Sequence, residues 1–218
     1  MACLKNRTHL FRETGTIFFN GLFYKNPVLV GALGLYPIVA AGYTLKNAVE
    51  LSILFFFLSL PTALLFCLIG ELMPQWLRPG LVLAASAIFY LPASWLTEKI
   101  YPGSIAALGM LAGLMICNSV ILSRCNDYAP THIGWAVAAD AIGCSAGFCL
   151  VICLIAAVRE FLLKVSAQNL HSQMNGTAAA GVSLPFFGFI LLGFLAALVQ
   201  WINEKRSREA AKKKGSRI

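Results

Sequence analysis

Residues 51–70 read LSILFFFLSLPTALLFCLIG, twenty positions without a charged side chain. At 1.5 Å per residue, a helix of that length covers about 30 Å, the hydrocarbon thickness of a bilayer. Five further stretches are of the same kind: Pro27 to Tyr43, Gly80 to Leu96, Ile105 to Leu122, Ile133 to Val158 and Leu184 to Ile202. The composition agrees with them, at 59% hydrophobic, 12% charged and a mean hydropathy of +0.76. Soluble domains carry about 25% charge, so the chain belongs in a membrane. Long apolar blocks likewise exclude a disordered protein, a disulfide-rich secreted module and a coiled coil. Trp76, Trp95, Trp135 and Trp201 fall at or near span ends, where an indole sits between headgroup and acyl chain.

The charge is distributed as six spans require. Of 17 basic residues, seven crowd the C-terminus at Lys205, Arg206, Arg208, Lys212, Lys213, Lys214 and Arg217. In a membrane protein such a tail anchors beside anionic headgroups and needs no nucleic-acid partner. Counting Lys and Arg on alternate sides gives thirteen against four, which places both termini in the cytoplasm. The minority side holds Lys46, Lys99, Arg159 and Lys164, and with them the sequon at Asn175. The expected organisation is an N-terminal cytoplasmic segment over 1–26, a membrane domain over 27–202 and a basic tail over 203–218. No cleavable signal peptide is expected in the first segment, whose residues 14–24 read as interfacial. The seven cysteines, Cys3, Cys67, Cys117, Cys125, Cys144, Cys149 and Cys153, are odd in number and show no CxxC pair, which fits reduced thiols.

Comparing the halves, Pro27, Ala32, Leu33 and Gly34 recur as Pro102, Ala107, Leu108 and Gly109. Three spans in each half force the two copies to run through the membrane in opposite directions, an inverted repeat. The fold expected is therefore all-α, with six transmembrane helices as two inverted three-helix repeats. The first and fourth spans are rich in glycine with prolines in or beside them, so both are expected to be broken. Their freed backbone groups would meet at mid-membrane, where a bound or transported species belongs. Close packing through small residues, without a site, explains the glycines equally well.

Several stretches carry a family resemblance: Asn20-Gly21-Leu22, Lys25 to Val30, Leu33-Gly34-Leu35-Tyr36-Pro37, Ile116 to Arg124, Asp140 to Gly143, Gly147-Phe148 and Arg159 to Leu162. In order and spacing, from about residue 17 to 203, they resemble the Rnf/Nqr membrane subunits, most closely the E subunit of Rnf complexes and the D subunit of the sodium-pumping quinone reductase. The resemblance implies a subunit of a bacterial inner-membrane complex that couples electron transfer from ferredoxin or NADH to sodium or proton movement. It implies pairing with a homologous membrane subunit of opposite orientation, and flavoprotein and iron-sulfur subunits that carry the nucleotide and flavin chemistry. Alone, the chain would catalyse nothing. It also implies an iron or iron-sulfur centre held by cysteines of both membrane subunits. At the positions of those cysteines this sequence has Tyr36 and Ser119. A phenol and an alcohol are poor substitutes, because soft iron-sulfur centres select thiolate. Cys117 lies about 200° around a regular helix from Ser119, so it reaches the same place only if the backbone breaks. Cys125 sits at the span exit.

Asp140 is the acid placed well inside a span, and an intramembrane acid is either an ion or proton relay or a link to a neighbouring helix. It shares a helical face with Gly143 and Gly147, so it points into a packed interface. Arg159 and Glu160 are expected to anchor at the interface just past the fifth span. Tyr36 is read as packing in preference to a redox relay. His9, His132 and His171 are isolated and build neither a metal site nor a triad. Two readings stay open: a divergent membrane subunit of an ion-translocating electron-transport complex, and a stand-alone transporter that kept the fold after losing electron transfer.

Overall fold

The computed structural model describes Gly21, residues 26–169 and residues 185–215. The sequon at Asn175, Cys3, His9, His171 and all of the interfacial segment 14–24 except Gly21 lie outside them. Every regular element among the described residues is helical. In chain order these are α1 (Leu35–Ala41), α2 (Leu45–Ile69), α3 (Arg78–Ile100), α4 (Ser104–Leu108), α5 (Met110–Leu114), α6 (Ser119–Ser123), α7 (Gly134–Asn169) and α8 (Pro185–Gly215). Among the described residues, four helices are long and apolar enough to cross a membrane: Leu45–Ile69, Arg78–Ile100, Gly134–Val165 and Phe186–Arg206. They take up most of the second, third, fifth and sixth apolar stretches of the sequence.

The other two stretches are interrupted. Residues 27–31 form turns and enter the seven-residue α1 through Gly34, whose φ of 68° only glycine adopts without strain. Ala32 beside it also lies in the left-handed region, at φ 52°. For an L-residue that conformation costs about 1–2 kcal/mol, so its neighbours must impose it. The fourth stretch is divided further, into α4, α5, a 3-10 turn over Met115–Cys117, and α6 after an extended Asn118. Gly103 and Gly109 supply positive φ at its two upstream breaks.

The core is the antiparallel pair α2 and α7. Phe55 and Phe148 pack ring on ring, 4.5 Å between centroids, and Ser59 shares a 2.8 Å hydrogen bond with Ser145. In an apolar layer such a hydroxyl pair fixes the register of two helices for about 0.6 kcal/mol. Helix α2 starts at Thr44, whose hydroxyl accepts the Asn47 N–H at 3.3 Å. At the opposite end Gly70 packs on Pro130 so closely that a Cβ would stand 2.8 Å from the proline ring.

Helix α7 runs eleven residues past Val158, where the apolar stretch ends, and within it the burial of Arg159 corrects the expectation of an interfacial anchor there. Arg159 is fully buried: its Nη1 donates to the Val39 carbonyl at 3.0 Å and its guanidinium lies 4.0 Å from the Tyr43 ring. Glu160 accepts the N–H of Leu45 at 2.9 Å and pairs with Lys164 at 2.7 Å. The cation thus meets a carbonyl in the last turn of α1 and the carboxylate meets the first N–H of α2, matching the helix dipoles on both sides of one corner.

Candidate functional site

The two interrupted segments meet. An asparagine with no exposed surface organises each turn: Asn26 Oδ1 accepts the N–H of Val28 at 2.9 Å, and Asn118 Oδ1 accepts that of Val120 at 2.9 Å. An Asx acceptor reaching two residues ahead replaces the backbone partner that a helix would have provided. Glycines let the segments close. A Cβ on Gly34 would stand 3.0 Å from Val120 Cγ2 and 3.2 Å from Asn118 Oδ1; one on Gly147 of α7 would stand 2.7 Å from Asn26 Nδ2. A Cβ on Gly21 would likewise meet the Gly143 backbone at 3.2 Å. Gly143 and Gly147 therefore face the N-terminal segment.

Two hydrogen bonds join the segments directly. The Gly34 N–H donates to Ser119 Oγ at 2.8 Å, and the Tyr36 hydroxyl donates to the Leu114 carbonyl. The two residues at the cysteine positions of the family resemblance thus both lie in one crossing, each bonded to the backbone of the other segment. Cys117 precedes Ser119 across the extended Asn118 and lies close enough to Tyr36 to act electrostatically on its phenol. Cys117 is exposed, because the chain turns at Asn118. Cys125 is buried, and no group of three or more His, Cys, Asp or Glu side chains able to hold a metal occurs among the described residues.

Asp140 stands apart from this crossing. It is 6% exposed, and Oδ1 lies 3.6 Å from Arg124 Nη1. Arg124 opens a π-helical turn over Arg124–Tyr128, an irregularity that recurs at functional sites. Asp140, Arg124, Tyr128, Ser59 and Cys144 line a cavity of about 20 Å³, room for one water. Burial, and then the Asp140 charge, push the Tyr128 phenol above its ordinary pKa, so it stays protonated and a donor at neutral pH. Its ring stacks on His132 at 3.8 Å.

Sequence reasoning missed Glu50, which is 1% exposed at the start of α2. Its Oε1 lies 3.8 Å from Lys46 Nζ, and its buried Oε2 has no hydrogen-bond partner among the described residues. No local pattern marks it, since it falls at the edge of the apolar stretch. The asparagines could have been found, as each stands just before an apolar run.

The sequence model of a family described as Rnf-Nqr subunit, membrane protein, matches residues 14–198. The chain belongs to the Rnf-Nqr family. Similar curated proteins are named as the E subunit of an ion-translocating oxidoreductase complex. The one from Shewanella sp. strain MR-4 is 27% identical over 212 residues, covering 89% of this chain and 91% of the relative. The one from Shewanella oneidensis is 28% identical over 203 residues, covering 87% and 88%. In this Rnf-Nqr chain, long helices and interrupted segments thus belong to a membrane protein of an electron- and ion-transport family.

Proposed function

We propose that this Rnf-Nqr protein is a membrane subunit of an Rnf-type ion-translocating oxidoreductase complex, and that the crossing of its two interrupted segments lies on the transmembrane path. The observation that carries the proposal is the crossing itself, built from asparagine-capped turns and joined through Ser119 and Tyr36. The chain spans a bacterial inner membrane six times as two inverted repeats, over residues 27–202, with both termini and the basic tail in the cytoplasm. Four long helices and two interrupted segments support six passes.

Its neighbour on the crossing is a homologous membrane subunit of opposite orientation. Val30, Ala32, Met110 and Cys117 are exposed along the interrupted segments. Irregular backbone is tolerated at membrane depth only against protein or water, so this face calls for a protein cover. Flavoprotein and iron-sulfur subunits supply the redox chemistry, and the chain alone is not an enzyme. A thiolate iron centre does not fit this chain's donors. The Tyr36 hydroxyl is spent on a carbonyl, Ser119 accepts an amide, and both are hard neutral oxygens. Tyr36 and Ser119 therefore contribute no iron ligand and leave any such centre to other thiols of the complex.

Asp140 serves the ion path for sodium or protons. Its buried carboxylate, the neighbouring cavity and the loose pairing with Arg124 suit a site that exchanges one cation for another. The second reading, a stand-alone transporter, is favoured by the same substitutions at Tyr36 and Ser119. Tagged purification from native membranes in mild detergent, with every co-purifying subunit identified by mass spectrometry, separates the two. Recovery with a homologous membrane subunit and flavoprotein and iron-sulfur subunits supports the complex. Recovery alone or as a homo-oligomer overturns it.

A further inference from the structure

At the end of the molecule formed by residues 70–78 and 124–132 lie two adjoining depressions that neither the crossing nor Asp140 uses. The first is an apolar groove of about 240 Å³ between the last turns of α2 and the first turns of α3, lined by Leu65, Phe66, Ile69, Leu81, Ala85 and Phe89 among others. The second is a cleft of about 310 Å³ lined by Gln75, Arg78, Asn126, Asp127 and Thr131. They share a wall: Arg78 of the cleft donates from Nε to the carbonyl of Met73, which lines the groove, at 3.1 Å.

The dimensions and the setting are those of one bilayer leaflet. From Arg78 to Phe89 helix α3 rises roughly 16 Å, against about 15 Å for the hydrocarbon of a single leaflet. Leu72 and Trp76, 83% and 80% exposed, are the sequence neighbours of Met73 in the groove and Gln75 in the cleft, and an exposed indole belongs at the headgroup boundary. The charges of the cleft select the headgroup. It holds one cation, Arg78, and one anion, Asp127, whose carboxylate is fixed by Ser123 Oγ at 3.2 Å and Asn126 Nδ2 at 3.0 Å. An anionic headgroup would satisfy the guanidinium and face the carboxylate unpaired. A zwitterionic headgroup with a primary ammonium satisfies both.

We propose that this groove and cleft bind one phosphatidylethanolamine molecule, its phosphate on Arg78, its ammonium on Asp127 and one acyl chain between α2 and α3. The site anchors the α2–α3 hairpin to the turn at Asp127, whose π-helical segment also carries Arg124. It is independent of the electron-transport reading, since it uses neither the crossing nor Asp140.

The test is native mass spectrometry of the full-length protein, delipidated in detergent and titrated with dioleoyl phosphatidylethanolamine or dioleoyl phosphatidylglycerol. Wild type is expected to hold one phosphatidylethanolamine with a roughly tenfold preference, the scale of one charge-assisted contact. Arg78→Gln lowers retention of both lipids, and Arg78→Lys restores part of it. Asp127→Asn removes the preference, and Ala85→Trp, which fills the groove, removes binding. Each variant is compared only where its thermal unfolding in detergent matches wild type, and the conservative Arg78→Lys and Asp127→Asn keep the test open if another fails to fold. Equal retention of the two lipids by wild type, no bound lipid, or retention untouched by Arg78→Gln and Ala85→Trp overturns the proposal.

Discussion

Residues 26–41 and 109–123 solve one problem in two ways. In both, a buried asparagine accepts the N–H two residues ahead at 2.9 Å, so the backbone can leave the helix without an orphaned donor. The first segment then passes through left-handed positions at Ala32 and Gly34 and continues as α1. The second is cut into α5, a 3-10 turn and α6, and it leaves Met110 and Cys117 on the surface. The first segment is pinned on α7 through Gly147 and on the buried Arg159, while the second has its strongest cross-segment contacts at Leu114, Asn118 and Ser119. The geometrical match pairs Asn26 with Asn118, whereas the sequence match pairs Gly34 with Gly109. Both glycines have positive φ, yet their ψ angles are 30° and −128°, so the shared residue does not mean a shared turn.

Disrupting the first segment at its contact has the largest effect. Gly34→Val adds a left-handed conformation costing about 1–2 kcal/mol, and overpacking against Val120 costs about 1–3 kcal/mol more. Folded yield in detergent, read by size-exclusion chromatography, should collapse. Asn26→Ala and Asn118→Ala test whether the two turns are equivalent. Each strands one buried N–H, which costs about 1–3 kcal/mol, and similar falls in thermal stability are expected if the two turns do equal work. A fall in only one would show that its partner turn is held from elsewhere.

Asp140→Asn lies outside both segments. Asp140 is buried, but the amide keeps its size and Arg124 is 26% exposed and 3.6 Å away, so the change costs about 1–3 kcal/mol and the protein should fold. In proteoliposomes carrying the complex, ion movement per electron should drop sharply while electron transfer persists. Unchanged coupling would make Asp140 a helix link and nothing more. Ser59→Ala, which removes one hydroxyl pair between α2 and α7, is the smallest change in stability, at about 0.6 kcal/mol by thermal unfolding in detergent.

The sequence made the long helices legible because uninterrupted apolar runs have one physical reading in a bilayer. Residues 51–70 lie wholly within α2 except for Gly70, its C-cap. Glycine and proline marked the interrupted stretches for the same local reason. What it could not show depends on packing between distant elements. Arg159 read as an interfacial charge because it comes just past the fifth apolar stretch, and only the fold brings Val39 and Tyr43 onto it. Glu50 escaped notice for the same reason. Tyr36 and Ser119 were singled out by resemblance, but that both would bond to backbone across one crossing follows from three-dimensional contact alone.

If Tyr36 and Ser119 hold the crossing together without ligating metal, their two hydroxyls can be removed without loss of metal. The quantity to measure is the iron content of the purified complex, compared between wild type, Tyr36→Phe and Ser119→Ala, each of which removes one hydroxyl from the crossing. The same iron per complex is expected in all three; a loss of iron in either variant, with the subunits still assembled, would make that hydroxyl a ligand and overturn the assignment.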